Sequence, residues 1–205
     1  MKLLNQYHNI ISIGSSCQTS YQLRRMKLRK ESGPFDWFIS ASVSGMVKLF
    51  QNQLQYYMEF DQLQLIGKAQ LHYIVRDARY NVDSYHDFPF VQQDDLWNKE
   101  YAAFKQKIDR RVQRFLNTLA HSPSIVLVRT QMTKEEAVLL HQAIQPLIGT
   151  SDYILLAVNN HEDKERTDVV SENWGLEHIK AASIPKGKDW RGADASWAEL
   201  FYKIW

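Results

Sequence analysis

The chain has 205 residues, of which 44% are hydrophobic and 23% are charged, and its formal net charge is +2. This composition is typical of a soluble globular protein with one sizeable core, and the small charge does not indicate a nucleic-acid partner. No run approaches the roughly 18 apolar residues of a membrane span, and residues 1–10 lack the apolar stretch of a signal peptide, so no membrane association is predicted.

Cys17 is the one cysteine of the chain. A single cysteine forms neither an internal disulfide nor a cysteine-based zinc site. We therefore expect a cytoplasmic protein with a reduced thiol. The sequence also lacks a P-loop and a glycine-rich dinucleotide fingerprint, so neither a metal nor a nucleotide cofactor is predicted.

Apolar runs and helical periodicity alternate along the chain, and no repeat, low-complexity tract or linker interrupts them. Strands are predicted at 9–14, 124–130, 153–160 and 178–185, and two more at 71–76 and 80–88 are joined by a turn. Helices are predicted at 18–26, 40–53, 97–119, 133–149 and 194–205, the fourth beginning with a capping box of Thr133 and Glu136. Residues 1–205 are therefore predicted to form a single domain.

The alternation of strand and helix favours an α/β fold, a three-layer domain with a largely parallel central sheet. Functional groups in such sheets tend to lie at the carboxyl ends of the strands. Cys17 follows the first predicted strand and precedes the first predicted helix. We therefore expect Cys17 at the carboxyl end of that strand.

Two features of the sequence leave alternatives open. The helix at 97–119 carries a basic run on its outer face, made of Lys105, Lys107, Arg110, Arg111 and Arg114. Such a run is usually a solvated face, and a phosphate-contacting patch is the alternative. Aromatic residues make up 12% of the chain, which is typical of an aromatic core or of an aromatic-lined ligand groove.

The position of Cys17 also indicates a possible chemistry. Free backbone amides and the positive end of the dipole point at a residue that begins a helix; they favour the nucleophilic thiolate and can hold an oxyanion. Gly14 would permit the tight turn, and Ser15 or Ser16 would cap the helix and serve the site. Arg24, two turns further on, is a candidate substrate-binding residue. The alternative is that Cys17 is a small apolar filler of the core.

A cysteine nucleophile generally needs a base, most often a histidine. His86 is the strongest of the seven histidines because it adjoins Asp87 in an aromatic segment. Asp36 is favoured for orienting the imidazole, since an acid seldom lies in an aromatic, turn-like segment without a partner. Asp87, Asn159 and Asp194 are the alternatives, and the amide of Asn159, at the end of a buried strand, is also a candidate contact for the substrate.

Several short motifs occur in a fixed order: GSSC at 14–17, LR at 23–24, SGPFDW at 32–37, HDF at 86–88 and a Trp/Asp/Trp pattern at 190–197. Together they resemble a bacterial family of unknown function whose members are catalogued as papain-like cysteine peptidases. The resemblance implies a cysteine hydrolase with Cys17 as nucleophile and His86 as base. This chain has Ser16 where the family has Asn, which affects a possible oxyanion donor.

The resemblance and the strand pattern imply different folds. Papain-like folds place the cysteine on a helix against an antiparallel sheet, whereas the alternation of strand and helix predicts a parallel one. We therefore take the fold from the alternation, and the resemblance as a statement about chemistry.

The sequence thus predicts a cysteine-dependent hydrolase, either a peptidase or amidase or an acyl transferase, that acts on a peptide, amide or ester. One alternative is an esterase-like hydrolase on a flavodoxin-like sheet, which would carry its nucleophile after the first strand, although the late Asp-x-x-His block of such enzymes is missing. The other alternative is a non-catalytic module that binds a ligand through aromatic residues and arginines.

Overall fold

Two β-sheets, one mostly parallel and one antiparallel, organise the protein. The computed structural model describes residues 7–91, 96–150, 152–163 and 165–203. The strands are β1 (Asn9–Ser12), β2 (Phe38–Ile39), β3 (Leu63–Ala69), β4 (His72–Asp77), β5 (Val82–Pro89), β6 (Ile125–Thr130), β7 (Tyr153–Asn160), β8 (Val170–Glu172) and β9 (Ile179–Ile184). The helices are α1 (Cys17–Arg25), α2 (Val43–Gln51), α3 (Tyr101–His121), α4 (Lys134–Ile144) and α5 (Asp194–Lys203).

The sequence predicts the last helix to residue 205, and positions 204 and 205 lie outside the described residues. Among the residues that are described, no helix combines the length and the apolar character needed to cross a membrane.

The first sheet, sheet A, has the strand order β1-β6-β7-β9-β8. Its first four strands are parallel, and β8 pairs antiparallel with β9 at one edge. All six residues of β6 are buried because both faces of the sheet are covered. Val126 and Leu156 pack with Trp197 of α5 on one face, whereas Leu127 and Leu155 pack in the larger core on the other. The α/β fold with a mostly parallel sheet is thus confirmed.

The second sheet, sheet B, is antiparallel and has the strand order β2-β5-β4-β3. It is inserted between α1 and α3, and its buried residues Tyr73, Val75 and Phe88 join the same core as Phe104 and Ile108 of α3. The sequence predicted the β4–β5 pair but not the whole sheet. The expectation of one central sheet therefore misses an antiparallel sheet, because β2 has only two residues and the register of β3 against β4 shifts between Leu65 and Gly67.

A buried arginine ties sheet A to the start of sheet B. Arg129 of β6 donates from Nη1 to the Ile13 carbonyl and to Ser40 Oγ, each at 3.0 Å, and from Nη2 to the Ser40 carbonyl at 2.5 Å. The Ser40 amide in turn donates to the Ser15 carbonyl at 2.7 Å. These bonds fix the loop between β1 and α1 against the segment that follows β2, and that loop leads directly into Cys17.

Gly14 is required in this loop for two reasons. Its φ is +91°, in the left-handed region that favours glycine. A Cβ at this position would also lie 2.2 Å from Ser40 Oγ and 2.8 Å from Arg129 Nη1. The glycine of the GSSC motif is therefore the residue that lets the loop approach the arginine.

Candidate active site

Cys17 is the first residue of α1, and four residues separate it from the end of β1. Ser16 is the N-cap: its hydroxyl accepts a hydrogen bond from the Gln18 amide at 3.3 Å. Thr19 donates from its hydroxyl to the Gly14 carbonyl at 3.1 Å. The cap and the Thr19 bond hold the first turn of the helix, so that the thiol projects from a fixed backbone.

His86 reaches this thiol from the other sheet. It lies on β5 of sheet B, and its Nε2 is 4.0 Å from the sulfur of Cys17. This distance is at the outer limit for a hydrogen bond to sulfur, and a histidine at such a distance is within reach of the thiol proton after a small movement. The structure therefore brings together the predicted nucleophile and the predicted base.

Both members of the pair are electrically neutral near pH 7. Burial raises the pKa of the Cys17 thiol to about 11, and its own backbone amide opposes the shift only in part. Burial also lowers the pKa of His86, as does the nearby His72, whereas Asp87 acts in the opposite direction. The start of the helix favours the thiolate, as expected, but desolvation outweighs this effect, so the net result is a raised pKa of the thiol.

Aromatic rings surround the pair. The rings of Trp37 and His86 meet edge to face with centroids 6.1 Å apart, and Trp37 meets Trp190 in the same way at 6.5 Å. Tyr21 packs against Trp190 at 5.4 Å, and His72 meets His86 at 6.0 Å. Trp190 is 57% exposed. We call Tyr21, Trp37 and Trp190 the aromatic wall.

The aromatic wall was not selected from the sequence, although Trp37 and Trp190 both lie within the motifs quoted above. Their position in those motifs was the available signal. Trp37 has a φ of +71°, so the chain turns sharply there, directly after the buried Asp36.

Asp36 does not hold the imidazole, contrary to the sequence-based expectation. Its Oδ1 accepts from the Ser20 hydroxyl at 2.8 Å, and its Oδ2 accepts from Arg29 Nη1 at 2.7 Å and from the Gly33 amide at 2.9 Å. The carboxylate is 2% exposed and both of its oxygens are occupied. Because Ser20 belongs to α1, Asp36 anchors the helix that carries Cys17.

Asp87 also has other partners. Its Oδ2 accepts from the Ser84 hydroxyl at 2.7 Å, and its Oδ1 accepts from Lys107 Nζ at 2.5 Å. Successive residues of a strand point to opposite faces, so Asp87 and His86 diverge. Asp87 therefore acts on His86 through its charge and not through a hydrogen bond.

The three remaining residues near α1 differ in their access to the thiol. Ser15 is 6% exposed, and its hydroxyl pairs with Thr130 Oγ1 at 3.0 Å, so it is occupied. Ser16 accepts a hydrogen bond as the N-cap, which leaves its hydroxyl proton unused in that bond. Arg24 lies in the exposed last turn of α1, about 10 Å along the helix axis from Cys17. Arg24 is therefore not placed beside the thiol.

Two further candidates stabilise other parts of the fold. Asn159 exchanges two hydrogen bonds with the backbone of Met132, at 3.0 and 2.9 Å. Asp194 begins α5 and accepts from Gln22 Nε2 of α1 at 2.8 Å, with Arg25 Nε at 3.2 Å. Asn159 thus fixes the loop after β6, and Asp194 ties α5 to α1.

Metal chemistry has no candidate ligand set in the part of the chain that the structure describes: no group of three or more His, Cys, Asp or Glu side chains is arranged to hold an ion. The chemical groups at the site are instead a thiol, an imidazole and the amides and hydroxyl at the start of α1.

Comparison with known proteins gives two matches. A family model described as "Putative papain-like cysteine peptidase (DUF1796)" matches residues 8–151, a range that contains both Cys17 and His86. An uncharacterized protein of Acanthamoeba polyphaga mimivirus is 26% identical over 216 residues, covering 93% of this chain and 95% of that protein. No solved structure matches the chain.

Proposed function

The chain belongs to the "Putative papain-like cysteine peptidase" family, and from that premise we propose that it is a thiol hydrolase with Cys17 as nucleophile and His86 as base. The observation that carries this proposal is the 4.0 Å separation of Cys17 Sγ and His86 Nε2 across two sheets. Its substrate is a peptide, amide or ester, since these offer the carbonyl that a thiol attacks.

The neutral state of the pair determines the order of the steps. As the sulfur forms a bond to the carbonyl carbon, the thiol proton passes to His86 Nε2. The imidazolium then returns this proton to the leaving amine or alcohol, and the C–N or C–O bond breaks. Water, deprotonated by His86, hydrolyses the resulting thioester and restores the free thiol.

The oxyanion of the tetrahedral intermediate would lie at the start of α1. The Cys17 amide belongs to the first turn of α1, where backbone amides have no partner within the helix. The Ser16 hydroxyl has a proton that its capping bond does not use. An amide and a hydroxyl would thus take the role that the side-chain amide of Asn would serve at position 16.

The aromatic wall supports two further roles. The rings of Trp37 and His72 each meet the His86 ring edge to face, so ring contacts orient the imidazole in place of a carboxylate. Trp190 is exposed beside Trp37 and offers an apolar platform to a substrate. We therefore expect a preference for substrates with an apolar or planar group next to the carbonyl.

Acylation of the thiol tests the proposal. The protein is incubated with short-chain p-nitrophenyl esters and with a panel of aromatic amides, and the intact mass of the trapped protein is measured. We expect turnover and a transient acyl group on Cys17, both abolished in Cys17→Ala and strongly reduced in His86→Ala. A folded wild-type protein that neither acquires an acyl group nor releases product would overturn it.

A ligand-binding module without catalysis is the second candidate, favoured by the raised pKa of Cys17 and by the exposure of Trp190 in the aromatic wall. Saturable binding of an uncleaved ligand, unaffected by Cys17→Ala, would support it. The flavodoxin-like esterase is disfavoured, because β1 is the edge strand of sheet A whereas the first strand of a flavodoxin-like sheet is internal.

A further inference from the structure

A second cleft lies between the edge strand β1, the segment 29–36 and α3. It has a volume of about 330 Å³. Its polar lining includes Arg29, Lys30, Arg111, Arg114, Asn117 and Thr118. We call it the basic cleft. Its described lining contains neither Cys17 nor His86, so it is separate from the candidate active site.

Positive charge exceeds negative charge in the basic cleft. Four cationic side chains line it, against the two carboxylates of Glu31 and Asp36. Asp36 is paired with Arg29 at 2.7 Å, and Glu31 is paired with Arg114 at 3.1 Å. Each acid therefore already has a cationic partner, and the remaining positive charge is not compensated from within the cleft.

Among the described residues two of the four cations lack such a partner: one is Lys30, which is exposed, and the other is Arg111. It is half-buried, and no residue that the structure describes forms a hydrogen bond or an ion pair with its guanidinium group. Burial lowers its pKa, and the nearby Arg114 and Arg29 act in the same direction, although Asp87 and Asp36 oppose them. An anion between these arginines would relieve both the desolvation and the mutual repulsion.

The shape and the other lining groups specify the anion. A guanidinium group is a planar fork that matches two oxygens of a phosphate. Asn117 and Thr118 add neutral hydrogen-bonding groups, and Ile11 and Phe115 add apolar surface. A volume of about 330 Å³ is at the small end of ligand pockets and is too small for a duplex or a folded partner.

We propose that the basic cleft binds the phosphate group of a small phosphomonoester whose organic part contacts Ile11 and Phe115. The proposal does not depend on hydrolysis at Cys17. The two sites have one residue in common, since Asp36 lines the cleft and also anchors α1 through its Oδ1.

Calorimetric titration with phenyl phosphate tests the proposal. Benzoate is the comparison ligand, because it bears a carboxylate in place of the phosphate on the same planar ring. We expect saturable binding of phenyl phosphate, at least about tenfold weaker binding of benzoate, and a loss of about tenfold or more in Arg111→Gln. Lys134→Gln is the matched control, because Lys134 is an exposed cation at the start of α4, outside the cleft. The Lys134→Gln variant should bind phenyl phosphate with the same affinity as the wild type.

Three results would overturn the proposal: no binding of phenyl phosphate to the wild type, equal binding to Arg111→Gln, or equal affinity for benzoate. Binding of single-stranded RNA that depends on Arg111, without binding of phenyl phosphate, would assign the patch to a polyanion instead. If Arg111→Gln does not fold, Thr118→Val replaces it, since this variant removes one hydroxyl from the cleft without changing its charge.

Discussion

The sulfur of Cys17 and Nε2 of His86 lie 4.0 Å apart, although 69 positions separate them and they belong to different structural units. Cys17 begins the helix that follows the first strand of sheet A, and His86 lies on sheet B. Arg129 and Ser40 join these units directly behind the loop that precedes Cys17. The geometry of the pair therefore depends on how the two sheets are joined.

The neutral pair predicts the pH dependence of Cys17 alkylation. Because the pKa of Cys17 is raised to about 11, the rate with iodoacetamide should be low at pH 7 and should rise up to about pH 11. In His86→Ala the thiol gains access to water, so the apparent pKa should move towards the ordinary value of about 8.5. The rate is measured by mass spectrometry, and the single cysteine makes the product unambiguous.

A thiolate–imidazolium pair predicts the opposite result, namely an apparent pKa well below 8.5 in the wild type that increases in His86→Ala.

The stability of the protein gives a second measurement. Because the pKa of Cys17 is raised in the folded state, the contribution of this thiol to stability is complete below about pH 8.5. It is lost as the pH rises towards 11. Cys17→Ala should abolish this part of the pH dependence.

The groups around His86 predict the acid limb of the pH–activity profile, that is, the pH range in which activity is lost on acidification. His86 must be neutral to accept a proton, and its pKa lies below 6.5, so activity should fall only as the pH decreases through that lower value. His72→Gln removes a charge that lowers the pKa of His86, so the limb should move to higher pH. Asp87→Asn removes a charge that raises it, so the limb should move to lower pH.

The histidine prediction can be checked without a substrate. The His86 ring signals in an NMR titration give its pKa directly in the wild type and in both variants. Shifts of the same sign in His72→Gln and Asp87→Asn would contradict the charge assignment. A shift in neither variant would mean that burial alone sets the pKa.

The role assigned to Asp36 predicts a loss of stability without a change in the pH profile. Asp36→Asn breaks a buried ion pair with Arg29 and should reduce the free energy of unfolding by about 3 kcal/mol. An orienting carboxylate would instead set the pKa of His86. Urea unfolding and the NMR titration of His86 separate the two roles, and a shifted pKa of His86 in a stable Asp36→Asn protein would restore the catalytic assignment.

Local signals in the sequence were sufficient for the four parallel strands of sheet A, whereas its antiparallel edge strand β8 was not predicted. The β-branched run of β6 is fully buried, as its composition predicts. The capping box at the start of α4 is present, with reciprocal bonds between Thr133 and Glu136 at 3.2 and 2.9 Å. Both features depend on residues close in the chain, which is why a single sequence reveals them.

Sheet B and the surroundings of His86 depend on residues far apart in the chain. The pairing of β2 with β5 joins Phe38 to Ser84, and no local pattern specifies that register. The contacts of Asp36 were misjudged for a different reason: its partner Arg29 is only seven positions away, but it is the turn between them that brings the two side chains together. An acid in an aromatic segment does indicate a partner, but it does not identify which one.

Gly14 provides the sharpest test of how the loop before Cys17 is built. Gly14→Ala places a Cβ 2.2 Å from Ser40 Oγ at a φ of +91°, so it combines a steric clash with backbone strain. Gly175→Ala is the matched control, because Gly175 has a φ of +69° and nothing within 4 Å of the added Cβ. We expect losses of about 3 kcal/mol and about 1 kcal/mol in the free energy of unfolding, respectively.

The difference between the two alanine variants measures the close approach of the loop to Ser40 and Arg129. Relief of the clash requires the loop to move away from Ser40, and Cys17 must move with it, since Ser15 accepts from the Ser40 amide. The alkylation rate of Cys17 should therefore change in Gly14→Ala and stay at the wild-type value in Gly175→Ala. Equal destabilisation by the two substitutions would mean that strain alone matters, and that the junction of the two sheets does not constrain the position of the thiol.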